Sequence, residues 1–449
     1  MNQPITLSIL AKIIQPLNSR KGDHWGKEKV TGISTDTRTL KEGEVFIALR
    51  GENFDGHHFV ESAIEVGASA LIVSQDFSGN LPPEVPQFYV ENTLSTYQQI
   101  AHWWRQQYKI PVIGITGSVG KTTTKELIAA VLSQYGRVLK TEGNENNEIG
   151  VPKTLLRLTS DHDYAVVEMA MRARGEIALL TDITQPTIGL ITNVGTAHIG
   201  QLGSREAIAQ AKCELLAQMS KEATAILNHD NQRLINTAAT VWAGNTITYG
   251  LEGGDLQGHF AGETLTVGDL KFPVPLPGVH NASNYLAAIA VAQALNLDLT
   301  PLENGITVEL PGARSRRYSL SNDILLLDET YNAGVESMMA ALKLLKETPG
   351  DRHLAVLGTM KELGEQSVPL HRQVGETVAQ LNLDYLFVLV DDPETREIAK
   401  AASPIPSECF ENKTELVQRL KAMIASGDRV LFKASHAVGL EEVLDQLRE

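Results

Sequence analysis

The sequence has little of what marks extracellular and membrane proteins. Only Cys213 and Cys409 occur among 449 residues, so no disulfide framework is expected and a reducing compartment fits best. No signal peptide is recognisable, and no apolar run approaches the ~20 residues that a membrane span requires. We therefore expect a cytoplasmic protein with no membrane partner.

Clusters of basic residues are also missing. The formal net charge is -15 at pH 7, and no run of Lys and Arg interrupts the acidic excess. Binding to nucleic acid through counterion release needs clustered positive charge, so a nucleic-acid partner is disfavoured. Small molecules are the expected partners.

Length and composition are those of a globular chain with several domains. The 43% hydrophobic and 21% charged residues are ordinary, and 449 residues are too many for one core. The patterns predict three α/β domains. They are a small mixed α/β domain over 1–108, a central parallel-sheet ATPase-type domain over 109–312 and a Rossmann-like domain over 313–449.

The most specific stretch, PVIGITGSVGKTTTK at 111–125, predicts a strand, a phosphate-binding loop and a helix. Gly117 and Gly120 let the backbone turn tightly and direct N–H groups at an anion. Lys121 adds a positive charge at the start of the helix. Thr122 adds a hydroxyl suited to Mg²⁺.

This loop departs from the strict P-loop pattern at one position. The pattern places glycine at 115, where the chain has Ile115, so the match is to the shorter core at 116–122. We predict that this core binds nucleotide phosphate; the alternative is a glycine-rich turn without a ligand. The candidate residues are Thr116, Gly117, Ser118, Val119, Gly120, Lys121 and Thr122.

Strands and helices alternate between 110 and 312, which predicts a parallel sheet with ligands at the carboxyl ends of its strands. The strand at 164–169 ends at Glu168, a candidate Mg²⁺ ligand. The strand at 187–194 is soon followed by His198. A single histidine is often structural, so a structural and a functional interpretation of His198 both stay open.

An Asn-rich loop at 141–150 lies between these strands. It is too polar for a core and too rich in asparagine for a helix. We therefore expect it to face a substrate. Its candidate side chains are Asn144, Asn146 and Asn147.

The helical pattern at 204–219 carries one lysine inside its apolar stripe. Lys212 follows Ile208 by four residues and precedes Leu216 by four. Its amine must reach solvent, pair with an acid, or lie partly desolvated in a site. On the pattern alone, a lysine that reaches solvent is the simpler interpretation.

The densest polar stretch of the N-terminal domain is GISTDTRT at 32–39. Its candidate side chains are Ser34, Thr35, Asp36 and Arg38. They could hold a diphosphate and a ribose or base. Clusters of this kind are more often turns whose side chains cap their own backbone, and that alternative stays open.

The last third of the chain again alternates strands and helices and predicts a Rossmann-like sheet. No G-x-G-x-x-G follows its first strand at 324–328, so a dinucleotide is not implied. The polar loops at 329–334 and 360–365 are expected to face the central domain.

Together these motifs resemble those of the Mur ligase family over the whole chain. Besides Glu168, the likeness rests on TGSVGKT (116–122), GNENNEIGVP (143–152), GEI (175–177), NVGTAH (193–198), AKCEL (211–215), HNASN (280–284) and DETYNA (328–333).

The chain departs from the family pattern in its C-terminal third. The departures are Ala313 and Glu329, where glycine and aspartate are usual, Gly334 and Thr359, where asparagine and aspartate are usual, and KASH at 433–436 in place of KGSR. None touches the phosphate loop or the candidate metal ligands, so the reaction class implied by the resemblance is unaffected.

The resemblance implies an ATP-dependent, ADP-forming amide ligase of peptidoglycan synthesis. ATP would phosphorylate the terminal carboxylate of UDP-N-acetylmuramoyl-tripeptide, and the amine of D-alanyl-D-alanine would attack the acyl phosphate. A tetrahedral intermediate would then lose phosphate. Such chemistry needs positioning and charge neutralisation rather than a covalent enzyme intermediate.

The resemblance also implies roles for individual residues. Lys121 would hold the β- and γ-phosphates, and Thr122 and Glu168 would bind one Mg²⁺. His198 and a carbamylated Lys212 would serve a second Mg²⁺.

Further roles follow from the same resemblance. The adenine would contact Asn281 and Asn284, the γ-phosphate Arg314, and the ribose Glu329. The UDP group would contact Ser34, Thr35, Asp36 and Arg38. The other candidates for substrate binding are Asn144, Asn146, Asn147, Tyr331 and Asn332. Because these residues come from all three domains, domain closure on ATP is expected.

Two kinds of alternative stay open: another amide ligase, and a non-catalytic nucleotide switch or structural protein. A sister ligase that adds the third peptide residue is disfavoured because no Asp-Asn-Pro-Arg segment is present, and a folylpolyglutamate synthetase is disfavoured by the long polar N-terminal domain. A non-catalytic nucleotide switch would not need Glu168, His198 and Lys212 on one sheet edge.

Overall fold

The fold is taken from a computed structural model that describes residues 5–20, 29–51, 54–79, 81–312 and 314–448. Ala313, at the predicted start of the third domain, lies outside these residues. No helix in the described ranges is long and apolar enough to cross a membrane.

The N-terminal part is a mixed α/β unit. Its elements are β1 Ile5–Thr6, α1 Leu7–Ile14, β2 Asn18–Arg20, β3 Lys29–Val30, β4 Gly32–Ser34, β5 Glu44–Ile47, a 3₁₀ helix Gly56–Phe59, α2 Val60–Val66, β6 Ala70–Ser74, β7 Gln87–Val90 and α3 Thr93–Gln106. The main sheet has the order β2-β7-β6-β5-β4, and β4 to β7 run parallel. Strands β1 and β3 form a separate antiparallel pair.

The central part contains the parallel sheet that the sequence predicts. Its elements are β8 Val112–Thr116, α4 Lys121–Leu132, β9 Val138–Lys140, α5 Gly150–Leu155, β10 Tyr164–Glu168, α6 Glu176–Thr184, β11 Ile188–Ile191, α7 Ile199–Leu202, α8 Arg205–Gln218, β12 Thr224–Asn228, α9 Gln232–Val241, β13 Asn245–Gly250, β14 Leu256–Gln257, β15 His259–Ala261, β16 Thr264–Val267, β17 Leu270–Pro273, α10 Val279–Ala294 and a 3₁₀ helix Thr300–Asn304. The sheet order is β14-β13-β12-β11-β8-β10-β9, beside a small antiparallel sheet of β15, β16 and β17.

This sheet is covered by helices on both faces, which explains the near-continuous apolar runs of its strands. All five residues of β8 are buried. Ile113 and Ile115 pack into one apolar layer with α4 and α10. Val112 and Val167 face the opposite layer, which includes α6 and α8. Because β8 lies in the middle of the sheet, the loop that follows it opens at the centre of the strand-end edge.

The C-terminal part forms the second sheet that the sequence predicts. Its elements are β18 Arg316–Leu320, β19 Ile324–Asp328, α11 Val335–Glu347, β20 Arg352–Leu357, a 3₁₀ helix Gly364–Gln366, α12 Ser367–Gln380, β21 Tyr385–Leu389, a 3₁₀ helix Pro393–Thr395, α13 Arg396–Ala401, β22 Ser407–Phe410, α14 Lys413–Met423, β23 Asp428–Lys433, a 3₁₀ helix His436–Val438 and α15 Glu441–Arg448. The sheet order is β18-β19-β23-β20-β21-β22, in which β18 is antiparallel and the other neighbours are parallel.

Helix α3 joins the N-terminal unit to the central one by direct packing. Trp104 is fully buried, and its Nε1 donates a hydrogen bond to the carbonyl of Leu158 at 3.1 Å. Arg105 Nε donates to the carbonyl of Thr184 at 3.0 Å. The end of α3 is therefore part of the central core, and the domain boundary at residue 108 stays a prediction.

We expect Trp104→Ala to destabilise this junction by about 3–5 kcal/mol, because it removes a large buried ring and leaves the Leu158 carbonyl without its donor. Guanidinium unfolding followed by circular dichroism measures the effect. The matched variant Trp103→Ala removes the half-buried neighbouring ring and should cost clearly less. Equal losses in the two variants would contradict the assigned role of Trp104.

Candidate functional site

A cavity of about 1200 Å³ lies between the central and C-terminal units. The phosphate loop, the ends of β10 and β11 and the start of α10 form its central wall, and loops after β19, β20 and β23 form the opposite wall. The sequence-predicted residues that line it are Ser118, Val119, Gly120, Lys121, Thr122, Asn144, Asn146, Asn147, Glu168, His198, Asn281, Asn284, Arg314, Glu329, Tyr331 and Asn332. The chain thus brings most of the candidates together on one surface.

The phosphate loop requires its glycines for space. Gly117 has φ of +154°, and a Cβ there would lie 1.9 Å from Thr192 Oγ1. Gly120 has φ of +83°, and a Cβ there would lie 2.8 Å from Asn284 Oδ1. The loop therefore closes against its neighbours in a way that only glycine permits at these positions.

Two N–H groups of this loop are bonded within the protein. The N–H of Ser118 donates to the carbonyl of Asn193 at 3.0 Å, and the N–H of Val119 donates to Asn193 Oδ1 at 3.0 Å. These two groups are therefore engaged. The donors that remain for an anion are the first N–H groups of α4, which have no intrahelical acceptor.

Lys121 lies at the base of the loop, where its Nζ donates to the carbonyl of Gly117 at 2.9 Å. Burial lowers the pKa of Lys121, the Glu168 carboxylate opposes this shift, and the Arg314 cation adds to it. Positive charge from two domains therefore converges on the loop.

The carboxylate of Glu168 is buried and only half satisfied. Its Oε1 accepts from Thr122 Oγ1 at 3.2 Å and from Asn146 Nδ2 at 2.8 Å. Its Oε2 is buried without a hydrogen-bond partner and lies 3.9 Å from Lys125 Nζ. A buried carboxylate oxygen without a donor is costly unless a cation approaches it.

Lys125 is a residue that sequence reasoning missed. It is 0% exposed, and its Nζ donates to the carbonyl of Thr141 at 2.7 Å and lies 3.0 Å from Glu126 Oε1. A lysine in a helical pattern is usually taken to be solvated. Its position one turn after Lys121 was the signal that could have revealed its burial. The helix that carries both lysines lies between the sheet and α10.

His198 reaches the C-terminal domain. Its Nδ1 lies 2.7 Å from Glu362 Oε2, although the angle does not make this a good hydrogen bond. The N–H of Gly200 donates to the carbonyl of Glu362 at 3.1 Å, so the two loops are docked. Burial lowers the pKa of His198, an effect that the Glu362 carboxylate opposes. Sequence reasoning placed the loop of Glu362 correctly but did not find this residue.

The solvent-reaching interpretation of Lys212 is wrong. The residue is 2% exposed, because α8 is covered by other parts of the protein on the side where Lys212 lies. The apolar stripe alone does not reveal that this side is covered. Burial, with the nearby Lys121 cation, holds the pKa of Lys212 well below its usual range. Among the described residues, no carboxylate oxygen lies within 4.0 Å of its amine. Lys212 lies behind the cavity wall rather than on it.

The start of α10 is bonded to the phosphate-loop helix. Asn284 Oδ1 accepts from Thr124 Oγ1 at 3.2 Å, and Asn281 Nδ2 donates to the carbonyl of Pro277 at 2.7 Å. Burial lowers the pKa of His280 to about 4, so its imidazole is neutral at pH 7. These side chains form an uncharged end of the cavity.

The C-terminal wall presents a stacked pair. The Arg314 guanidinium lies 3.4 Å from the centre of the Tyr331 ring. The Tyr331 hydroxyl donates to Asn144 Oδ1 of the Asn-rich loop, which links the two walls. Glu329 Oε1 accepts from Ser315 Oγ at 3.1 Å, and burial raises the pKa of Glu329.

Two candidates on the wall also have local structural bonds. Asn147 Oδ1 accepts from the N–H of Gly150 at 2.9 Å, at the start of α5. The carbonyl of Asn332 accepts from Lys433 Nζ at 2.9 Å. Their predicted contacts with substrate stay predictions.

The Ser34 to Arg38 turn does not line the cavity. Ser34 Oγ donates to the carbonyl of Asp36 at 3.0 Å. Arg38 pairs with Asp36 through both ends of its guanidinium, at 2.9 and 2.6 Å. Hydrogen bonding to Arg38 is the main reason that the pKa of Asp36 is lowered. The turn satisfies its own polar groups, as the turn interpretation expects, and Thr35 stays a candidate with them.

A parallel sheet, a phosphate loop and a buried carboxylate on one interdomain cavity define a nucleotide-binding α/β enzyme. Sequence comparison agrees along the chain. Residues 29–102 match the Mur ligase family catalytic domain, residues 115–292 the Mur ligase middle domain, and residues 313–436 the Mur ligase glutamate ligase domain.

Two relatives that match over nearly their full length share one name. The UDP-N-acetylmuramoyl-tripeptide--D-alanyl-D-alanine ligase of Synechocystis is 59% identical over 93% of this chain and 92% of its own. The Escherichia coli protein of the same name is 38% identical over 99% of this chain and 98% of its own. The chain belongs to the Mur ligase family.

Solved structures agree with this assignment. MurF from Acinetobacter baumannii aligns with a TM-score of 0.88 and 29% identity over 99% of both chains. MurF from Thermotoga maritima in complex with ADP aligns with a TM-score of 0.82 and 30% identity, over 93% of this chain and 96% of that one. The three-domain α/β prediction is therefore confirmed, and use of ATP is supported.

The glycine geometry gives a direct test of the loop. We expect Gly117→Ala to weaken ATP binding by roughly tenfold or more, because its Cβ displaces Thr192 and strains the backbone. Isothermal titration with ATP measures this. Gly334→Ala is the matched control: it is on the wall of the same cavity, and its Cβ meets nothing within 4 Å. Unchanged affinity in Gly117→Ala would contradict the geometry.

Proposed function

We propose that the chain joins D-alanyl-D-alanine to UDP-N-acetylmuramoyl-tripeptide with ATP as the energy source, in peptidoglycan synthesis. The observation that carries this proposal is the cavity, in which the phosphate loop faces the Tyr331 and Asn332 segment across the domain interface. The 59% identity to the Synechocystis ligase supports this choice of substrates over those of a sister enzyme.

The chain's residues account for the phosphoryl step by position and charge. The β- and γ-phosphates of ATP would lie against the first N–H groups of α4, with Lys121 beside them and Arg314 opposite. The tripeptide carboxylate attacks the γ-phosphorus, the bond to the bridging oxygen breaks, and ADP leaves. Charge neutralisation by preorganised cations lowers such a barrier without a covalent enzyme intermediate.

The second step makes the amide. The neutral amine of the dipeptide attacks the acyl carbon, the tetrahedral intermediate loses a proton from nitrogen to solvent, and the carbon–oxygen bond to phosphate breaks as inorganic phosphate leaves. The cavity would hold both the acid and the amine between two docked domains. The two groups would then react from fixed positions and would not have to meet by diffusion. The contact between Tyr331 and Asn144 supports a closed arrangement for this step.

The residues around Glu168 fit a Mg²⁺ ion. Magnesium prefers oxygen ligands and usually binds through one or two protein groups plus phosphate oxygens. Thr122 Oγ1 and the unpartnered Glu168 Oε2 are such groups at the mouth of the loop. When bound, the ion would neutralise charge on the phosphates.

A second metal position is proposed at His198, served by a carbamate on Lys212. Desolvation populates the neutral amine that can add CO₂, and the burial of Lys212 without an acidic neighbour favours this. The carbamate would turn a buried cation into an anion beside Lys121. Burial is the main cause of the lowered pKa of His198, and the nearby Lys121 and Lys212 cations add to it.

The N-terminal unit would hold the UDP group. Its candidate side chains are Ser34, Thr35, Asp36 and Arg38. Asp36 and Arg38 now pair with each other at 2.6 Å, so one of them must exchange partners when a diphosphate binds. The cytoplasmic location stays a prediction.

The half-reactions test the proposed function. With ATP and UDP-tripeptide but no dipeptide, borohydride reduction should trap an acyl phosphate; adding D-alanyl-D-alanine should release phosphate and form amide. Single amino acids in place of the dipeptide, and a folate in place of the UDP-tripeptide, should give no product, since those results would belong to the sister enzymes. Lys121→Ala should lose at least a hundredfold in rate and stay folded. A Lys121→Ala variant with near-normal phosphate release would refute the loop assignment.

The carbamate has its own test. Lys212→Ala should be folded but nearly inactive, and added short carboxylic acids should restore part of the rate by placing an anion in the vacated volume. The exposed Lys221→Ala is the matched control and should keep full activity without any response to acid. Full activity in Lys212→Ala would sink the carbamate hypothesis. An inactive variant that no acid rescues would favour a purely structural lysine.

A further inference from the structure

The cavity has six acidic side chains on its wall within the described ranges. They are Glu148, Glu168, Glu176, Glu329, Glu336 and Glu362. A substrate with a free amine enters this cavity as an ammonium ion, and a carboxylate is the natural partner of an ammonium. The acids that already have partners can be set aside.

Four of the six acids are engaged. Glu168 accepts from Thr122 and Asn146 and lies near Lys125, and Glu362 lies 2.7 Å from His198. The other two engaged acids are Glu176, which accepts from the N–H of Arg172 at 2.6 Å, and Glu329, which accepts from Ser315 at 3.1 Å. Glu336 also accepts one hydrogen bond, from Thr196, but it is retained because it has no cationic neighbour and lies beside the phosphate loop; Glu148 is its rival.

Glu336 is the second residue of α11 and leans across the domain interface. Its Oε2 accepts a hydrogen bond from Thr196 Oγ1 at 2.8 Å. A Cβ at Gly195 would lie only 2.6 Å from the carboxyl carbon of Glu336. Because Gly195 has no side chain, the Glu336 carboxylate can reach the central wall of the cavity.

This position is next to the phosphate loop. The N–H of Gly195 donates to Ser118 Oγ at 2.8 Å, so the residue that Glu336 contacts is bonded to the loop itself. A group held by Glu336 would lie beside the phosphates that Lys121 faces. That is where an amine must be in order to attack an acyl phosphate.

The carboxylate of Glu336 has no cationic partner. Within the described residues, no Lys, Arg or His nitrogen lies within 4.0 Å of it, and Thr196 satisfies only Oε2. The start of α11 supplies a partial positive charge beside the carboxylate and leaves its outer lone pairs free. A half-buried anion on a cavity wall is thus available to a ligand.

We propose that Glu336 binds the ammonium group of the incoming dipeptide and orients its nitrogen toward the acyl phosphate, where the group loses a proton to solvent and attacks as the neutral amine. This inference rests on the proposed function and adds a residue to it. Glu336 is a substrate-contacting residue for the amine and has no part in the phosphoryl step. Glu148 is the rival acid; it lies on the Asn-rich loop of the central unit rather than at the domain contact.

The test separates the two steps of the reaction. Glu336→Gln keeps the shape and the contact with Thr196 but removes the charge. The KM for D-alanyl-D-alanine should rise about tenfold or more, as for loss of a hydrogen bond to a charged group. Acyl phosphate formation without dipeptide should stay near the wild-type rate. Hydroxylamine, a small amine largely uncharged at neutral pH, should give hydroxamate at the same rate in both proteins.

Controls come from the same chain. Glu347→Gln neutralises an exposed acid at the far end of α11 and should change nothing. Glu336→Asp keeps the charge but draws it back by one methylene, so its KM should fall between those of wild type and Glu336→Gln. This variant also serves if the glutamine variant does not fold.

Three results would overturn the inference. One is an unchanged dipeptide KM in Glu336→Gln. Another is an equal loss of acyl phosphate and amide formation, which would make Glu336 a structural contact between domains. The last is a dipeptide-specific loss in Glu148→Gln instead. A wild-type protein that forms no amide would refute the proposed function itself, whereas an active wild type with an unaffected Glu336→Gln refutes only this inference.

Discussion

Positive charge concentrated at one edge of the central sheet is the constraint on which the site depends. The chain carries a net charge of -15, yet Lys121, Lys125 and Lys212 are gathered within or beneath this edge. Burial lowers the pKa of Lys121 and of Lys212; the Arg314 cation adds to the shift of Lys121, and the Lys121 cation adds to that of Lys212. Within the described residues, no carboxylate oxygen lies within 4.0 Å of the amine of Lys121 or Lys212, so a polyphosphate would supply the anion that this edge lacks.

The second domain contact completes the cavity. Contacts across the interface include the hydrogen bonds from Tyr331 to Asn144, from Thr196 to Glu336 and from the N–H of Gly200 to the Glu362 carbonyl, and the approach of Glu362 to His198. Residues that hold nucleotide and residues that face the acceptor are thereby kept on opposite walls of one space. If the two domains did not dock, each half of the site would stay intact, but the reactants would not be brought together.

The sequence predicts those parts of the site that depend on local chain geometry. The phosphate loop is contiguous, and Glu168 and His198 follow strand ends, so their convergence follows from a parallel sheet. Glu362 and Glu336 could not be found this way, because their partners belong to another domain and only docking brings them near. Lys212 was misjudged because an apolar stripe shows one packed face of a helix and not whether the other face is covered. The burial of Lys125 was not predicted for the same reason.

The most direct measurement is a crystal structure of the protein with Mg²⁺ and a non-hydrolysable ATP analogue. The account predicts the β- and γ-phosphates against Lys121 and the start of α4, with metal density between Thr122 Oγ1 and Glu168. Nucleotide bound elsewhere would contradict it. So would phosphates in the loop with no metal and Glu168 Oε2 paired to Lys125.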